Sequence, residues 1–364
     1  MNPDTVARLR DACARAAQTL GDTAPEGARR VAERLGVAGI VTPAAAPARD
    51  VPRLLGALHG QLLRETATTI SAAFSAAGLP HVFVKGIVFV DDLYPPGARE
   101  LADIDVYVAR DAAPAARATL ESLGFRVEAD DPDRGPSPLR PGLTLVRAAT
   151  SDVESAVVDL HWGVEPLTSL LPRDRTPLPR GVWDRARQGR LPAPCPGDHA
   201  ALLVHHLVHH DFLHVVSLVD LAVLWPQVLA DEGTTFAATA RALRAGRVAR
   251  IVADVLARDL GLARPPRLEA APSDWRARRL AASLRLDRWL AWAAAAGPST
   301  RAAITPGRVG RRLLAVEHVW NGAGVVWDAL WPPQAHLRWR WPEARTRLGA
   351  LARHWGSVGR KVAR

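Results

Sequence analysis

Cysteine is almost absent from this sequence. Cys13 and Cys195 are the only two among 364 residues, and their positions match neither a metal-binding spacing nor a disulfide framework. A zinc site built from cysteines and a disulfide-stabilised fold are therefore excluded. So few cysteines are typical of a reducing compartment, and we expect the protein to be cytoplasmic.

Long apolar runs are absent as well. No stretch approaches the roughly 20 apolar residues that cross a bilayer. The start, "MNPDTVARLRDACARAAQTL", carries charges throughout and lacks the apolar centre of a signal peptide. We therefore predict no transmembrane segment.

Lysine is the third scarce residue. Only Lys85 and Lys361 are lysines among the 47 basic residues, and the formal net charge is +10. Such a charge makes nucleic acid one candidate partner. Part of the basicity, however, reflects a composition rich in Arg, Ala and Pro. Nucleic acid is therefore an alternative partner and not the favoured one.

The hydrophobic patterns divide the chain into three predicted regions. Residues 1–78 place apolar residues at helical spacing up to Gly78 and predict an N-terminal helical segment. Residues 79–165 mix short β-rich runs with helical stretches and predict a small mixed sheet. Residues 166–364 predict a larger C-terminal helical domain. The expected fold class is α+β, with a small sheet core flanked by helices.

Short apolar runs within the central region predict the strands of this sheet. The segment from Asp130 to Pro141 is rich in Asp, Pro, Gly and Ser and predicts an exposed loop. The run "GIVFVDDLY" can start a helix, and the predicted strands are "HVFV", "LADIDVYV", "RVEAD", "LTLVRA" and "SAVVDLHW".

Two acids interrupt one of these apolar strands. Asp103 and Asp105 lie two residues apart, so a strand points both toward one face and Ile104 toward the other. Two such close carboxylates repel each other, and each is expected to cost stability unless a divalent cation such as Mg²⁺ neutralises them. The alternative is a strand end whose acids face solvent or pair with arginines. Asp159, in "VVDLHW", adds a third carboxylate if its strand neighbours the first.

Lys85 and Gly86 lie where a predicted strand turns into a helix. Such a turn can present backbone N–H groups and a positive helix end to a phosphate. An ammonium is a compact charge that a guanidinium does not replace. A lysine here, in a chain that otherwise uses arginine, supports a phosphate contact, with chance as the alternative for a single residue. Arg99 follows four residues before Asp103.

The run "VKGIVFVDDLYPPGARELADIDVYV", followed by "VVDLHW", resembles the uncharacterised bacterial nucleotidyltransferases of the DNA polymerase β-like superfamily. The shared pattern is a Lys-Gly turn, a Tyr-Pro loop, an Arg, Asp-x-Asp in a strand and a later Asp-Leu-His-Trp. The resemblance implies a nucleotidyltransferase sheet with a helical C-terminal domain. It also implies an enzyme that moves an NMP group from an NTP, ATP among them, to a hydroxyl acceptor: a small molecule, sugar, peptide or protein.

The resemblance further implies roles for individual residues. Asp103, Asp105 and Asp159 would be the catalytic carboxylates and would hold Mg²⁺ or Mn²⁺. Many superfamily members have Gly-Ser at the nucleotide-binding turn, whereas this chain has Lys85-Gly86, so Lys85 would substitute for the missing hydroxyl. The expected nucleotide contacts are Lys85, Gly86, Tyr94, Arg99 and His161. Of these, Lys85 and Arg99 would neutralise triphosphate charge. His161 would orient Asp159 or make a structural hydrogen bond.

Five histidines crowd one predicted helix in "LLVHHLVHHDFLHVVSLVDLA". Family members have paired histidines at helical spacing and an Asp about ten residues later; His206, His210 and Asp220 fit this pattern best, while His205 and His209 offer a second register. Three interpretations of this secondary site stay open. It binds a metal, it contacts the nucleotide or acceptor, or it packs the helix with Asp220 accepting from an imidazole.

Two other functions stand beside NMP transfer. A non-catalytic member of the fold would bind nucleotide or a partner protein, and the altered turn is its main support. An RNA-directed transferase is supported by the net charge alone.

Overall fold

The structure is a computed structural model of the chain. The residues that it describes are 3–24, 26–41, 51–95, 97–128, 141–148, 155–165, 167, 176–270, 274–296, 306–316 and 322–362.

Helices precede, interrupt and follow a single sheet in the described residues. Among the described helices, none combines the length and the apolar character that a membrane span requires. In chain order the helices are α1 (Pro3–Thr19), α2 (Gly27–Arg34), α3 (Ala38–Val41), α4 (Val51–Ala76), α5 (Gly86–Asp92), α6 (Ala113–Ser122), α7 (Arg180–Asp184), α8 (Pro196–His209), α9 (Val215–Ala230), α10 (Thr234–Ala242), α11 (Gly246–Leu260), α12 (Trp275–Ser283), α13 (Leu286–Ala295), α14 (Pro306–Ala315), α15 (Gly322–Leu330), α16 (Gln334–Arg340) and α17 (Arg347–Val362).

Five strands form the sheet. Four lie within runs that the sequence predicts to be strands, and the fifth, Gly142–Arg147, begins one residue before the predicted run "LTLVRA". In space they are ordered β1-β2-β5-β4-β3. The β2–β5 pair is parallel and the other neighbouring pairs are antiparallel, so the predicted mixed sheet is confirmed. Of the predicted loop from Asp130 to Pro141, all but Pro141 lies outside the described residues. The strands are β1 (His81–Val84), β2 (Ile104–Val108), β3 (Arg126–Val127), β4 (Gly142–Arg147) and β5 (Ala156–His161).

The first face of the sheet packs against α4 and α6. Because side chains alternate along a strand, Ile104, Val106 and Val158 all point to this face, where they are fully buried. They form one hydrophobic core with Phe74 of α4 and Leu120 of α6. Removal of this apolar surface from water holds the two helices on the sheet.

The second face of the sheet lies toward α8 and α9. Val82 and Val84 of β1 share a hydrophobic core with Leu203 of α8 and Leu218 of α9. The helices α1 to α3 contribute to the same core, and α1 packs against α11 and α13. Asp105, which is opposite Val84 in the strand register, points to this second face. The domain boundaries after residues 78 and 165 remain predictions.

A buried carboxylate fixes the beginning of α8. Asp198 lies in the first turn, is fully buried, and accepts two hydrogen bonds from the Arg185 guanidinium at 2.8 and 3.1 Å. The hydroxyl of Thr239 and the thiol of Cys195 also donate to Asp198, at 2.5 and 3.1 Å. A negative charge at a helix N-terminus is also favoured by the helix dipole. These contacts set the orientation of α8, whose later turns face the sheet.

The core between α4 and the sheet generates a stability prediction. Phe74→Ala removes a fully buried ring and should lower the free energy of unfolding by about 3–5 kcal/mol. Leu54→Ala on the same helix is the control, because Leu54 is 58% exposed and its loss should change stability by only about 0.5 kcal/mol. Chemical denaturation of the two variants measures the difference. Equal losses would contradict the placement of α4.

Candidate functional site

Three carboxylates converge on the second face of the sheet. Asp105 of β2 lies directly opposite Asp159 of β5 in the parallel register, and Asp103 precedes β2 by one residue. The two strands are therefore neighbours, as the meeting of three carboxylates requires. All three side chains line one cavity of about 420 Å³ between the sheet and α8.

Asp105 and Asp159 have separate hydrogen-bond partners. His161 Nε2 donates to Asp105 Oδ1 at 3.0 Å, and Thr144 of β4 donates to Asp159 Oδ1 at 2.6 Å. The ring of Tyr107 stacks on His161 with centroids 4.8 Å apart. Two roles were expected for His161: orienting Asp159, or making a structural hydrogen bond. The hydrogen bond of His161 goes to Asp105, and Thr144 is the side chain that donates to Asp159.

Lys85 occupies the turn between β1 and α5 in an unusual backbone conformation. Its φ is 61°, a value that residues with a Cβ rarely adopt. Its ammonium lies 2.6 Å from Asp105 Oδ1, and its backbone N–H donates to His199 Nε2 at 2.7 Å. The next residue, Gly86, is closely packed: a Cβ there would lie 2.8 Å from Leu101 Cδ2 and 3.0 Å from Arg99 Nη2, so these side chains would have to shift. The turn thus places the Lys85 side chain beside the carboxylates. The backbone N–H of Lys85 is already hydrogen-bonded within the protein.

The two neighbouring aspartates have opposite pKa shifts. The charge of Asp105 and burial raise the pKa of Asp103 to about 7. Burial would also raise the pKa of Asp105, but the Lys85 ammonium and the hydrogen bond from His161 outweigh it and hold that pKa well below its usual range. The sequence predicted that each carboxylate costs stability without a metal. That expectation is corrected for Asp105, because Lys85 and His161 compensate its charge; Asp103 carries the unfavourable charge.

Arg99, Tyr94 and Asp220 form a buried clamp between the loop after α5 and helix α9. Arg99 Nε and Nη2 donate to the two carboxylate oxygens of Asp220 at 3.0 and 3.1 Å, and Tyr94 donates to Asp220 Oδ1 at 2.8 Å. Burial lowers the pKa of Arg99, but Asp220 outweighs it, so the net shift is upward and the guanidinium stays charged. Asp220 was grouped with His206 and His210 in the predicted secondary site; its carboxylate is instead committed to Arg99 and Tyr94.

Three of the predicted histidines cluster on the wall of the same cavity. The ring centroid of His206 lies 4.2 Å from that of His210 and 4.8 Å from that of His214. Burial, and then the charge of Lys85, hold the pKa of His206 well below its usual value. The three carboxylates line the same cavity, so the histidine cluster and the carboxylates face a shared space.

The second predicted register, His205 and His209, has a different environment. His205 Nε2 donates to the backbone carbonyl of Glu165 at 2.7 Å, and His209 Nδ1 lies 3.0 Å from the Glu165 carboxylate. Burial lowers the pKa of His205 to about 4. These two histidines therefore tie α8 to the segment that follows β5.

Two residues of the site were missed from the sequence. Thr144 lies on β4, and a lone Thr in an apolar run gives no signal until its strand is known to pair with β5. His199 lies 114 positions from Lys85, whose backbone N–H it accepts. Burial lowers the pKa of His199 to about 3, so the ring is neutral and its proton is on Nδ1. Only the fold reveals either contact.

The donor set fits a divalent cation. One ligand atom each from Asp105, Asp159 and His161 lie within 4.8 Å of one another. Carboxylate oxygens are the ligands that Mg²⁺ and Mn²⁺ prefer. The raised pKa of Asp103 adds a second sign, because a cation beside the pair would relieve the repulsion that causes it.

The asymmetry between the two aspartates predicts opposite stability effects in EDTA at pH 8. Asp103→Asn removes a repelled, half-buried charge and should raise the free energy of unfolding by roughly 1–3 kcal/mol. Asp105→Asn leaves the Lys85 ammonium without its partner and should lower it by about 3 kcal/mol. Asp184→Asn, whose side chain is 60% exposed, is the charge-matched control and should have little effect. Thermal melting measures all three; the same sign for both site variants would refute the assignment.

Comparison with known proteins agrees with this geometry. A family model described as an uncharacterised nucleotidyltransferase matches residues 52–261, more than half of the chain. No curated protein and no solved structure gave a significant match. The matched range runs from α4 to the end of α11 and includes the carboxylates, the Lys85 turn and the histidine cluster. The chain therefore belongs to this family of uncharacterised nucleotidyltransferases.

Proposed function

We propose that the protein is a metal-dependent nucleotidyltransferase that moves an NMP group from an NTP to a hydroxyl acceptor and releases pyrophosphate. The observation that carries the proposal is the convergence of Asp103, Asp105 and Asp159 on one sheet face beside a cavity. Clustered carboxylates of this kind suit in-line displacement at phosphorus. Family membership supports the reaction class, and the resemblance to the DNA polymerase β-like superfamily supports the same chemistry.

The proposed cofactor is Mg²⁺ or Mn²⁺, held by Asp105 and Asp159 with Asp103 beside them. When bound, such ions neutralise the triphosphate and lower the pKa of the acceptor hydroxyl. Lys85 and His161 keep Asp105 ionised, which is the state a ligand needs. His161 acts here as an orienting partner of a metal ligand, a role that supports both affinity and geometry.

Asp159 is the proposed acceptor of the proton. Thr144 holds its Oδ1 at 2.6 Å and so fixes the plane of the carboxylate. In the proposed step the acceptor oxygen bonds to the α-phosphorus, the bond from phosphorus to pyrophosphate breaks, and the hydroxyl proton passes to Asp159. A fixed carboxylate does this without the reorganisation that a mobile one would need.

Lys85 and Arg99 have unequal parts in the proposal. Lys85 lines the cavity and its side chain is 20% exposed, so its ammonium can contact a phosphate beside Asp105. Arg99 also lines the cavity, but Asp220 accepts from its guanidinium, and its side chain is 11% exposed. We therefore assign Lys85 to the nucleotide, and Arg99 and Tyr94 to the clamp that shapes the cavity.

A non-catalytic nucleotide-binding protein is the second candidate. Its specific support is the Lys85–Asp105 ion pair, which neutralises a carboxylate without any metal. The RNA-directed alternative keeps only the net charge of +10 as support. Metal-dependent release of pyrophosphate separates transfer from simple binding, and a steep salt dependence of RNA binding would favour the RNA-directed enzyme.

The proposed function predicts metal-dependent labelling of an acceptor. The protein is incubated with each α-labelled NTP, with Mg²⁺ or Mn²⁺ and a cell extract as source of acceptors. Label should appear in one acceptor class together with pyrophosphate. Loss of a residue that only orients a metal ligand reduces activity by roughly 10–100-fold. Asp159→Asn should reduce transfer by more than this, because Asp159 is a proposed ligand itself.

Asp184→Asn is the control for this assay, since it removes the same charge outside the cavity. It should transfer at the wild-type rate. Wild-type protein that binds an NTP but releases no pyrophosphate with any NTP and either metal would exclude the enzyme and favour the binding protein.

A further inference from the structure

The proposed reaction needs positive charge near the triphosphate, and Lys85, whose ammonium also neutralises Asp105, supplies only part of it. Among the described residues that line the cavity, Lys85 and Arg99 are the only Lys or Arg. Lys85 is bonded to Asp105 and Arg99 to Asp220. The remaining side chains of the lining that can carry positive charge are histidines.

Local backbone geometry builds the histidine cluster. His206 and His210 are four residues apart and so lie on one face of α8 and its C-terminal end. Asp211 and Phe212 then adopt left-handed backbone conformations, with φ of 53° and 64°. These two residues reverse the chain and return His214, whose ring centroid lies 5.7 Å from that of His210. Two consecutive residues with Cβ atoms in this region are costly, which favours a function for the cluster.

The cluster differs from a metal site and from a packed core. Within the described part of the chain, ligand atoms close enough to share one ion occur at Asp105, Asp159 and His161, and not among the three clustered rings. The three imidazoles are half-buried and line the cavity, whereas the core of α8 is formed by fully buried leucines and valines. A ligand in the cavity is therefore the occupant that their position fits.

Hydrogen-bond chemistry indicates the class of ligand. An imidazolium donates from both nitrogens and accepts from neither, so three together suit an anion with several acceptor oxygens. We propose that His206, His210 and His214 form a subsite for phosphoryl anions, which holds the polyphosphate tail of the NTP through imidazolium cations. The identification of the anion as an NTP rests on the proposed function.

Binding at this subsite is coupled to proton uptake. Without an anion His206 is neutral, since burial, and then the charge of Lys85, hold its pKa well below its usual value. A phosphate between the rings favours the charged form and takes up protons. Affinity should therefore fall as pH rises, by about tenfold per pH unit for each proton linked to binding. The other titratable or charged groups that line the same cavity are Lys85, Arg99, Glu100, Asp103, Asp105, Tyr107, Asp159, His161, Glu165, His199, His205 and His209.

Pyrophosphate is the probe, because it carries the relevant phosphates and does not depend on the base or the acceptor. Calorimetric titrations in buffers of different ionisation enthalpy give the number of protons taken up. The wild type is compared with a His206→Gln/His210→Gln double variant and with His59→Gln, a control on α4 outside the cavity. Melting curves establish that each variant is folded. Proton exchange by pyrophosphate itself is common to all proteins and cancels in the difference.

The expected result is that the wild type and the control take up at least one more proton than the double variant and bind pyrophosphate at least tenfold more tightly. Equal affinity and equal proton uptake in the folded double variant would overturn the subsite. Stoichiometric zinc that is present in the wild type and lost in the double variant would overturn it in favour of a metal site.

The two proposals fail separately. Proton-coupled pyrophosphate binding without any NMP transfer would leave the subsite standing and remove the enzyme. If the double variant of an active enzyme retains full affinity for pyrophosphate, the subsite falls while the enzyme stands. The single variant His214→Gln tests whether His214 belongs to the subsite. It should lose part of the proton uptake, and unchanged uptake would exclude His214 from the subsite.

Discussion

The parallel pairing of β2 with β5 is the constraint on which the rest of the site depends. It sets Asp105 opposite Asp159 and Tyr107 opposite His161, although two other strands lie between β2 and β5 in the sequence. A shift by one residue would send each of these side chains into the apolar core under α4. The buried valines and isoleucine on the first face therefore hold the carboxylates on the second face. The strand register that packs the core is the same register that forms the site.

The fold compensates the charge that this register concentrates. Lys85 and His161 both donate to Asp105, whereas Asp103 receives its repulsion and has a pKa of about 7. The strained turn that delivers Lys85 is held by His199 of α8, so the helical layer supports the electrostatics of the sheet. The protein's own residues compensate the charge of Asp105 but not that of Asp103. A cation beside the two carboxylates would relieve the remaining repulsion, and the histidine cluster is the proposed place for an anion.

The sequence predicted the strands, the mixed sheet, the Lys-Gly turn and the placement of Asp103 and Asp105 on one face, because each depends on local patterns of apolar residues and on spacing. The approach of Asp159 was conditional on its strand lying beside the first, which the pairing of β2 with β5 shows. The sequence did not predict the hydrogen-bond partners of the charged side chains. His161 donates to Asp105, and Arg99 donates to Asp220, because strand register and helix packing determine these contacts. Thr144 was missed for the same reason. Contacts between distant segments have no local signal in a single sequence.

Asp105 and Asp159 together are the proposed ligands of a divalent cation. Electron paramagnetic resonance of Mn²⁺ tests this proposal directly, because bound Mn²⁺ leaves the sharp spectrum of the free ion. We expect saturable binding in the wild type and in Asp184→Asn, and tighter binding when an NTP is added. Binding should be strongly weakened in Asp105→Asn and in Asp159→Asn. Unchanged Mn²⁺ affinity in both folded site variants would contradict the proposal.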